Sequence, residues 1–339
     1  MKPTLFEFHL PIFGEITFPA YFTMLTLAFF VGLWMLERAG RRLHVTPLKL
    51  YDMGILIMVF AMVGARLLHV LADGQFIDYV HLCTDPKQVE VPVGPGGPST
   101  ENCITDASCG EGFLCNTDTH RCYPERDCLS AFKPWKGGLV FYGGFIFAAG
   151  FSFWYIRRHR LPFWKIADVF GYILPMGLFL GRLGCLLNGC CYGKTTSLPW
   201  GVRYSAWQGP WEDHVKIGWI AKSAPHSLHV HPTQLYESLL GLVIFVVLYF
   251  GLYPRKRYDG QVFASFLMAY GVGRFVVEMF RADPRGVVLG LSTSQFISVL
   301  MMAIAGWIFW KKPGATAFCC STTPMVLTSQ SSGIPKNEP

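Results

Sequence analysis

Long apolar stretches separated by shorter polar segments set the pattern of this chain. A helix needs about twenty mostly apolar residues to cross a bilayer. Seven stretches meet that measure, at 20–36, 51–72, 138–156, 166–187, 234–252, 261–280 and 292–310. Several carry a Gly, a Pro or a charge, which spanning helices tolerate when their neighbours satisfy the freed groups. The pattern predicts an all-α polytopic membrane protein with seven transmembrane helices. Residues 1–72 supply the first two, and residues 138–312 the remaining five. A polar insert at 73–137 separates the two sets. A Trp-rich arm at 194–233, holding Trp200, Trp207, Trp211 and Trp219, suits the membrane–water interface. The polar tail at 313–339 is expected to be disordered, and no internal repeat is evident.

Composition agrees with a bilayer as solvent. Of 339 residues, 52% are hydrophobic and 15% charged, where soluble domains carry about a quarter charged. Too few polar side chains remain to cover a water-soluble globule, and disordered, collagen-like and coiled-coil chains are excluded by the same numbers. The net charge of +7 needs no nucleic acid to explain it, because the basic residues sit in short connections. Arg38, Arg41, Arg42 and Lys49 follow the first stretch. Arg157, Arg158, Arg160 and Lys165 follow the third, Arg255, Lys256 and Arg257 the fifth, and Lys311 and Lys312 the seventh. Alternate connections are therefore basic, which places them in the cytoplasm. The N-terminus is then outside, the C-terminus inside and the insert outside. The first twenty residues lack the apolar core and small-residue site of a cleavable signal peptide.

Cysteine chemistry gives an independent argument for the same orientation. Six of the eleven cysteines lie in the insert, as Cys83, Cys103, Cys109, Cys115, Cys122 and Cys128. An even set in a small loop-rich module with little core predicts disulfides, with fifteen possible pairings, and hence an oxidising compartment. A four-cysteine zinc site competes, but the segment has no CxxC spacing. Cys185, Cys190 and Cys191 close the fourth stretch, where they could be small packing residues, a disulfide or a metal site. Cys319 and Cys320 lie in the tail.

The polar residues inside the apolar stretches carry the candidate chemistry: Arg66, Asp168, Arg182, Glu237, Arg274 and Glu278. A charge at that depth is costly and commonly marks a cavity or a site. Arg274 and Glu278 share a helix face at i,i+4. Arg66 and Arg182 add guanidinium groups toward the outer ends, and several such groups in one bundle suit an anion. Arginine matches phosphate with forked hydrogen bonds, and a lipid phosphate is the anion at hand. Structural pairing and snorkelling are the plainer explanation. Tyr142, between glycine pairs, is an interfacial anchor or a proton-handling phenol. His231 and Thr233 suit the start of the fifth helix, with Thr233 near its N-cap.

The ordered motifs resemble the bacterial prolipoprotein diacylglyceryl transferase family. GRLGCLLNGCCYG at 181–193 resembles its signature. HPTQLYE at 231–237, YGVGRFVVEMFRADP at 270–284 and KGGLVFYGGF at 136–145 resemble its other motifs, and Gly14 to Tyr21 fits its first span. The resemblance covers most of the chain except the insert and the tail. It implies transfer of the diacylglyceryl group of phosphatidylglycerol to the lipobox cysteine thiol of a prolipoprotein, forming a thioether and releasing glycerol phosphate. It also implies an inner-membrane location, with no cofactor and no metal. By matching position, Arg182, Arg274 and Glu278 would be catalytic, with Tyr142 at the place of a family histidine. Tyr21, Arg66, Gly143, Gly144, Cys185, Asn188, Gly193 and His231 would surround the substrates. The chain departs from the family pattern at Tyr142, at Cys185 and Cys190 in place of an asparagine and a glutamate, and at Val230 in place of an arginine. The phosphate-binding half is thus expected to be kept and the proton-handling half altered. Alternatives are a paralogue with a different acceptor or with thiol chemistry at Cys185, Cys190 and Cys191, and a non-catalytic binding protein. In the last of these, the insert docks an unknown partner.

Overall fold

The computed structural model describes residues 4–10, 14–72, 76–89, 98, 103–110, 112–132, 140–282, 286–288 and 290–311. The Pro- and Gly-rich residues 92–97, residues 136–139 and the tail at 313–339 lie outside the described residues. A hairpin of β1 (Thr4–Leu10) and β2 (Gly14–Pro19) leads into α1 (Ala20–Leu43). Then follow α2 (Pro47–Ala72), α3 (Phe76–Thr84), α4 (Asp106–Cys109), and the hairpin of β3 (Phe113–Asn116) and β4 (Arg121–Pro124). Next come α5 (Phe141–Arg158), α6 (Phe163–Asn188), α7 (Gly209–Lys216) and α8 (Thr233–Val246). The chain ends its described course with α9 (Gln261–Glu278), the short β5 (Val287–Val288) and β6 (Leu291–Ser292), and α10 (Thr293–Lys311). Each predicted apolar stretch is helical, and an N-terminal hairpin that the apolar pattern does not predict precedes the first of them. Among the described residues, five helices are long and apolar enough to cross a membrane: α1, α2, α6, α10, and α8 with its continuation to Arg255. The other two, α5 and α9, have 18 residues each. They are long enough but less apolar, because α5 ends in Arg157 and Arg158 and α9 carries Arg274 and Glu278.

Small residues let the helices approach and fix their directions. A Cβ on Gly143 of α5 would lie 2.2 Å from the Gly64 carbonyl oxygen of α2, and Phe60 stacks on Phe151 further along the same pair. Gly184 near the end of α6 faces Tyr21 and Met24 at the start of α1, while Gly32 meets Ile173. Gly241 of α8 lies against Pro175 and Phe179, and Gly171 of α6 against Phe263 of α9. These contacts run antiparallel between α1 and α6, α2 and α5, and α6 and α8, whereas α6 and α9 run parallel, start against start. One end of the bundle therefore gathers the start of α1, the insert, the end of α6, the arm, the start of α8 and the end of α9. The basic connections lie at the other end.

Asp168 belongs to that basic end. It is fully buried and accepts hydrogen bonds from the backbone N–H groups of Gly260 (2.9 Å), Val262 (2.9 Å) and Phe263 (3.1 Å). Lys256 Nζ pairs with it at 2.8 Å. The carboxylate satisfies the orphan donors at the start of α9 and complements its dipole. Its cost of burial is thus answered structurally.

The insert is stapled as expected, and the structure selects the pairing: Cys83–Cys128, Cys103–Cys115 and Cys109–Cys122. Two bridges clamp the β3–β4 hairpin, and the third joins α3 to the returning chain. In the arm, Trp200, Trp207 and Trp219 are exposed as an interfacial position requires. Trp211 is not: it is buried and donates its indole N–H to the Ala224 carbonyl at 2.7 Å.

Candidate functional site

A network of buried ions forms at the end of the bundle opposite the basic connections. Glu237, on α8 one turn from its start, is fully buried. Its carboxylate meets Arg182 of α6 at 2.7 Å, Arg281 at 3.1 Å and Arg274 of α9 at 3.3 Å. Arg274 also reaches Glu278 at 2.6 Å and donates to the Ser294 hydroxyl at 3.1 Å. Ser292 in turn donates to Glu278 at 3.0 Å. The helical spacing of Arg274 and Glu278 makes their pair local. Glu237, by contrast, is brought to three guanidinium groups only by the packing of α6, α8 and α9.

The ion count is uneven. Among the described residues, three guanidinium groups face two carboxylates, so the ionised network carries one net positive charge. In low dielectric such an excess favours an anion. The Arg182 side chain is the most accessible of the three, at 18% against 7% for Arg274 and 1% for Arg281. It is therefore the member best placed to meet a ligand. Gln234, also fully buried, donates to the Cys190 carbonyl at 2.7 Å and to the Tyr204 hydroxyl at 3.0 Å. Its carbonyl oxygen has no hydrogen-bond partner among the described residues, which leaves an acceptor beside the ions. Burial pushes the Tyr204 phenol up to about 12, so it stays neutral.

The turn after α6 closes the site. Gly189 ends the helix in the left-handed region (φ 79°), and the N–H groups of Gly189 and Cys190 both bond to the Cys185 carbonyl. Cys191 is left-handed too (φ 61°), an unusual setting for a residue with a Cβ. The tight turn folds Cys190 and Cys191 back over Cys185, and their three sulfurs lie within 4.8 Å of one another. Asn188, exposed at the helix end, hydrogen-bonds Cys190 through its side chain. Gly193 is buried where a Cβ would come within 2.6 Å of the Phe280 carbonyl oxygen, and it pairs with Arg281 in a short bridge. Tyr21 lies within electrostatic reach of Arg182 and the three thiols.

Other expected site residues are placed differently. Arg66 donates to the carbonyls of Ala131 (2.9 Å) and Ser130 (2.6 Å), and lies over the Tyr79 ring. Its charge thus anchors the insert to α2 and does not join the Glu237 network. Gly143 and Gly144 face α2, where they permit close helix packing. Tyr142 is 38% exposed and contacts the Phe141 ring, with no hydrogen bond or ion pair among the described residues. His231 approaches the Tyr236 hydroxyl at 3.2 Å. Thr233 does not cap α8: Pro232 holds the cap position, and the Thr233 hydroxyl donates to the Cys191 carbonyl at 2.9 Å. An apolar groove of about 400 Å³, lined by Phe60, Phe147, Gly150, Phe151 and Trp154, lies along α2 and α5 and not at the ions. Sequence reasoning missed Arg281, Gln234 and Ser294. Arg281 lies just beyond the end of α9, outside the predicted stretch, and only its burial reveals it.

The profile of a protein family described as prolipoprotein diacylglyceryl transferase matches residues 8–92 and 117–311. The interval it skips contains Cys103, Cys109 and Cys115, in the heart of the insert. Among similar proteins, a phosphatidylglycerol–prolipoprotein diacylglyceryl transferase of Clostridium tetani is 28% identical over 311 residues, covering 91% of this chain and 97% of the relative. A protein of the same name from Caulobacter vibrioides is 30% identical over 206 residues, covering 59% of this chain and 66% of the relative. Another from a Polaromonas species is 36% identical over 189 residues, covering 54% and 62%. For these last two, the matched part spans slightly less than two thirds of the relative's length.

Proposed function

Because this chain belongs to the prolipoprotein diacylglyceryl transferase family, we propose that it transfers the diacylglyceryl group of phosphatidylglycerol to the thiol of a prolipoprotein cysteine. The observation that carries the reading is the buried network of three arginines on two carboxylates. In this reaction negative charge grows on the departing phosphate as the carbon–oxygen bond breaks. Fixed guanidinium groups stabilise that charge most where water is excluded. Arg182 and Arg274 hold the phosphate, and Arg281 adds to the positive field. Glu237 and Glu278 aim the arginines, and the free carbonyl of Gln234 accepts from a head-group hydroxyl.

The acceptor is the lipobox cysteine, presented from the membrane beside the turn at 189–193. Tyr21, Cys185, Asn188, Gly193 and His231 border its path. Tyr142 takes part in proton handling, a role supported by a phenol that is partly exposed and has no polar partner among the described residues. Gly143, Gly144 and Arg66 support the site by holding α5 and the insert to α2. Seven spans, with the less apolar α5 and α9 shielded by their neighbours, put the N-terminus and the insert outside and the C-terminus inside. The basic connections at the opposite end of the bundle support that orientation. The protein then resides in the inner membrane, with the stapled insert free to meet a further partner.

The test is transfer of labelled diacylglyceryl from phosphatidylglycerol vesicles to a lipobox peptide, with thioether and glycerol phosphate measured together. Product is expected from the parent and not from a folded Arg182→Ala variant. A purified, folded parent that binds phosphatidylglycerol but makes no thioether would reject the reading in favour of a binding protein.

A further inference from the structure

We infer that Cys185, Cys190 and Cys191 form a three-thiolate zinc site whose open fourth position receives the acceptor thiol. The inference rests on the transferase reading for its last clause only. The geometry carries the site itself. The three sulfurs lie within 4.8 Å of one another, and all three cysteines are free. Zinc–sulfur bonds are about 2.3 Å, so sulfurs around one tetrahedral ion lie about 3.8 Å apart. Closing from at most 4.8 Å moves each sulfur by no more than about half an ångström, within the reach of a rotamer adjustment. Thiolates at this spacing suit a soft ion, and zinc is the redox-inert choice.

Simple packing does not account for the cluster. Cys185 is buried, but Cys190 and Cys191 are only partly so. They sit on a polar turn that bends twice through the left-handed region to aim their sulfurs at Cys185. Gly189 bends there freely, but Cys191 does so at a cost on the order of 1 kcal/mol, and strain of that kind concentrates at ligand sites. Around the sulfurs stand groups suited to thiolates: the Asn188 side chain hydrogen-bonds Cys190, and Arg182 and Arg281 flank Cys191. The flanking guanidinium groups offset the negative charge of a zinc trithiolate, and the amide orients one ligand. Three thiols also persist at the same end of the bundle as three disulfides. Ligation to zinc protects them from the oxidant that made those bridges.

The site would do what the reaction requires. A free thiol with an ordinary pKa near 8.5 is only about 3% thiolate at pH 7, whereas a coordinated thiol is deprotonated outright. On binding at the fourth position, the acceptor thiol releases its proton to water. A sulfur lone pair then forms the bond to the terminal glycerol carbon of the lipid. The carbon–oxygen bond breaks with its electron pair on the phosphate oxygen. Glycerol phosphate departs past Arg182, and nothing is oxidised or reduced.

Metal content gives a readout independent of activity. The intact protein is purified in mild detergent, loaded with zinc, freed of excess and analysed by elemental mass spectrometry, beside Cys190→Ser/Cys191→Ser and Cys185→Ala variants. About one zinc per chain is expected in the parent and less than a tenth of that in the double variant. Both should keep the same helix content and phosphatidylglycerol binding. Loading with cobalt should produce a thiolate-to-metal charge-transfer band only in the parent. An unmetallated parent with three freely alkylated thiols, a Cys190–Cys191 or Cys185–Cys190 disulfide, or equal zinc in the double variant would each overturn the site. Loss of zinc should lower transfer to the lipobox peptide on the order of 30-fold, the gain from full thiol ionisation. Unchanged transfer by the zinc-free variant would overturn the acceptor role. A zinc-loaded parent with no transfer at all would count against the transferase reading and leave the metal count standing.

Discussion

Glu237→Gln is the perturbation that most directly interrogates the buried network. The carboxylate touches three guanidinium groups at 2.7, 3.1 and 3.3 Å. At an effective dielectric constant of 20, each contact has a gross attraction of about 5 kcal/mol. Desolvation of the fully buried carboxylate offsets most of that sum, so the useful guide is the measured effect of breaking a buried pair, about 3–5 kcal/mol. Glutamine keeps the volume and one acceptor oxygen but removes the charge. The network then changes from three positive and two negative groups to three and one, leaving two uncompensated positive charges in low dielectric. Thermal unfolding of the detergent-purified protein, followed by tryptophan fluorescence, should show the melting midpoint falling by roughly 10 °C. The exposed Glu125→Gln control should be unchanged. Removing one excess charge as well, in Glu237→Gln/Arg281→Gln, should recover part of the loss, so that the double variant is more stable than additivity predicts by about 1–3 kcal/mol. A Glu237→Gln midpoint equal to that of the control, or strict additivity with Arg281→Gln, would show that the network does not hold these helices together and would refute the reasoning.

Other consequences can be checked separately. Asp168→Asn leaves four donors short of a charged acceptor, so stability should fall by about 2–4 kcal/mol, with the KM for phosphatidylglycerol unchanged in the protein that remains folded. Gly143→Ala drives a Cβ against the Gly64 carbonyl oxygen and should cost about 1–3 kcal/mol, read as a lower melting midpoint without loss of lipid binding at low temperature. Arg66→Ala frees the carbonyls of Ser130 and Ala131, so hydrogen exchange or limited proteolysis should accelerate in the insert and leave α6, α8 and α9 protected. Tyr142→Phe should lower transfer by about tenfold to a hundredfold with little change in stability, and parental activity in this variant would remove Tyr142 from proton handling.

The division between what the sequence determined and what needed tertiary structure follows the range of the interactions. Apolar runs of bilayer length are a local property, so all seven helical stretches were legible. The i,i+4 pair of Arg274 and Glu278 was legible because one helix turn sets it. An even set of cysteines in a core-poor insert announced disulfides, but each pairing depends on chain paths that close only in space. Trp211 and Thr233 could not be assigned from type alone: burial against Ala224 and a hydrogen bond to Cys191 outweighed the usual preferences for an interface and a cap. Arg66 and Asp168 read as site charges because membrane burial is expensive wherever it occurs, yet tertiary contacts gave them carbonyl and backbone N–H partners elsewhere. Conversely, Glu237 was visible only as one more buried charge. Its place at the centre, with Arg281 and Gln234 around it, follows from the packing of α8 against the parallel pair α6 and α9, which joins residues that the sequence keeps far apart.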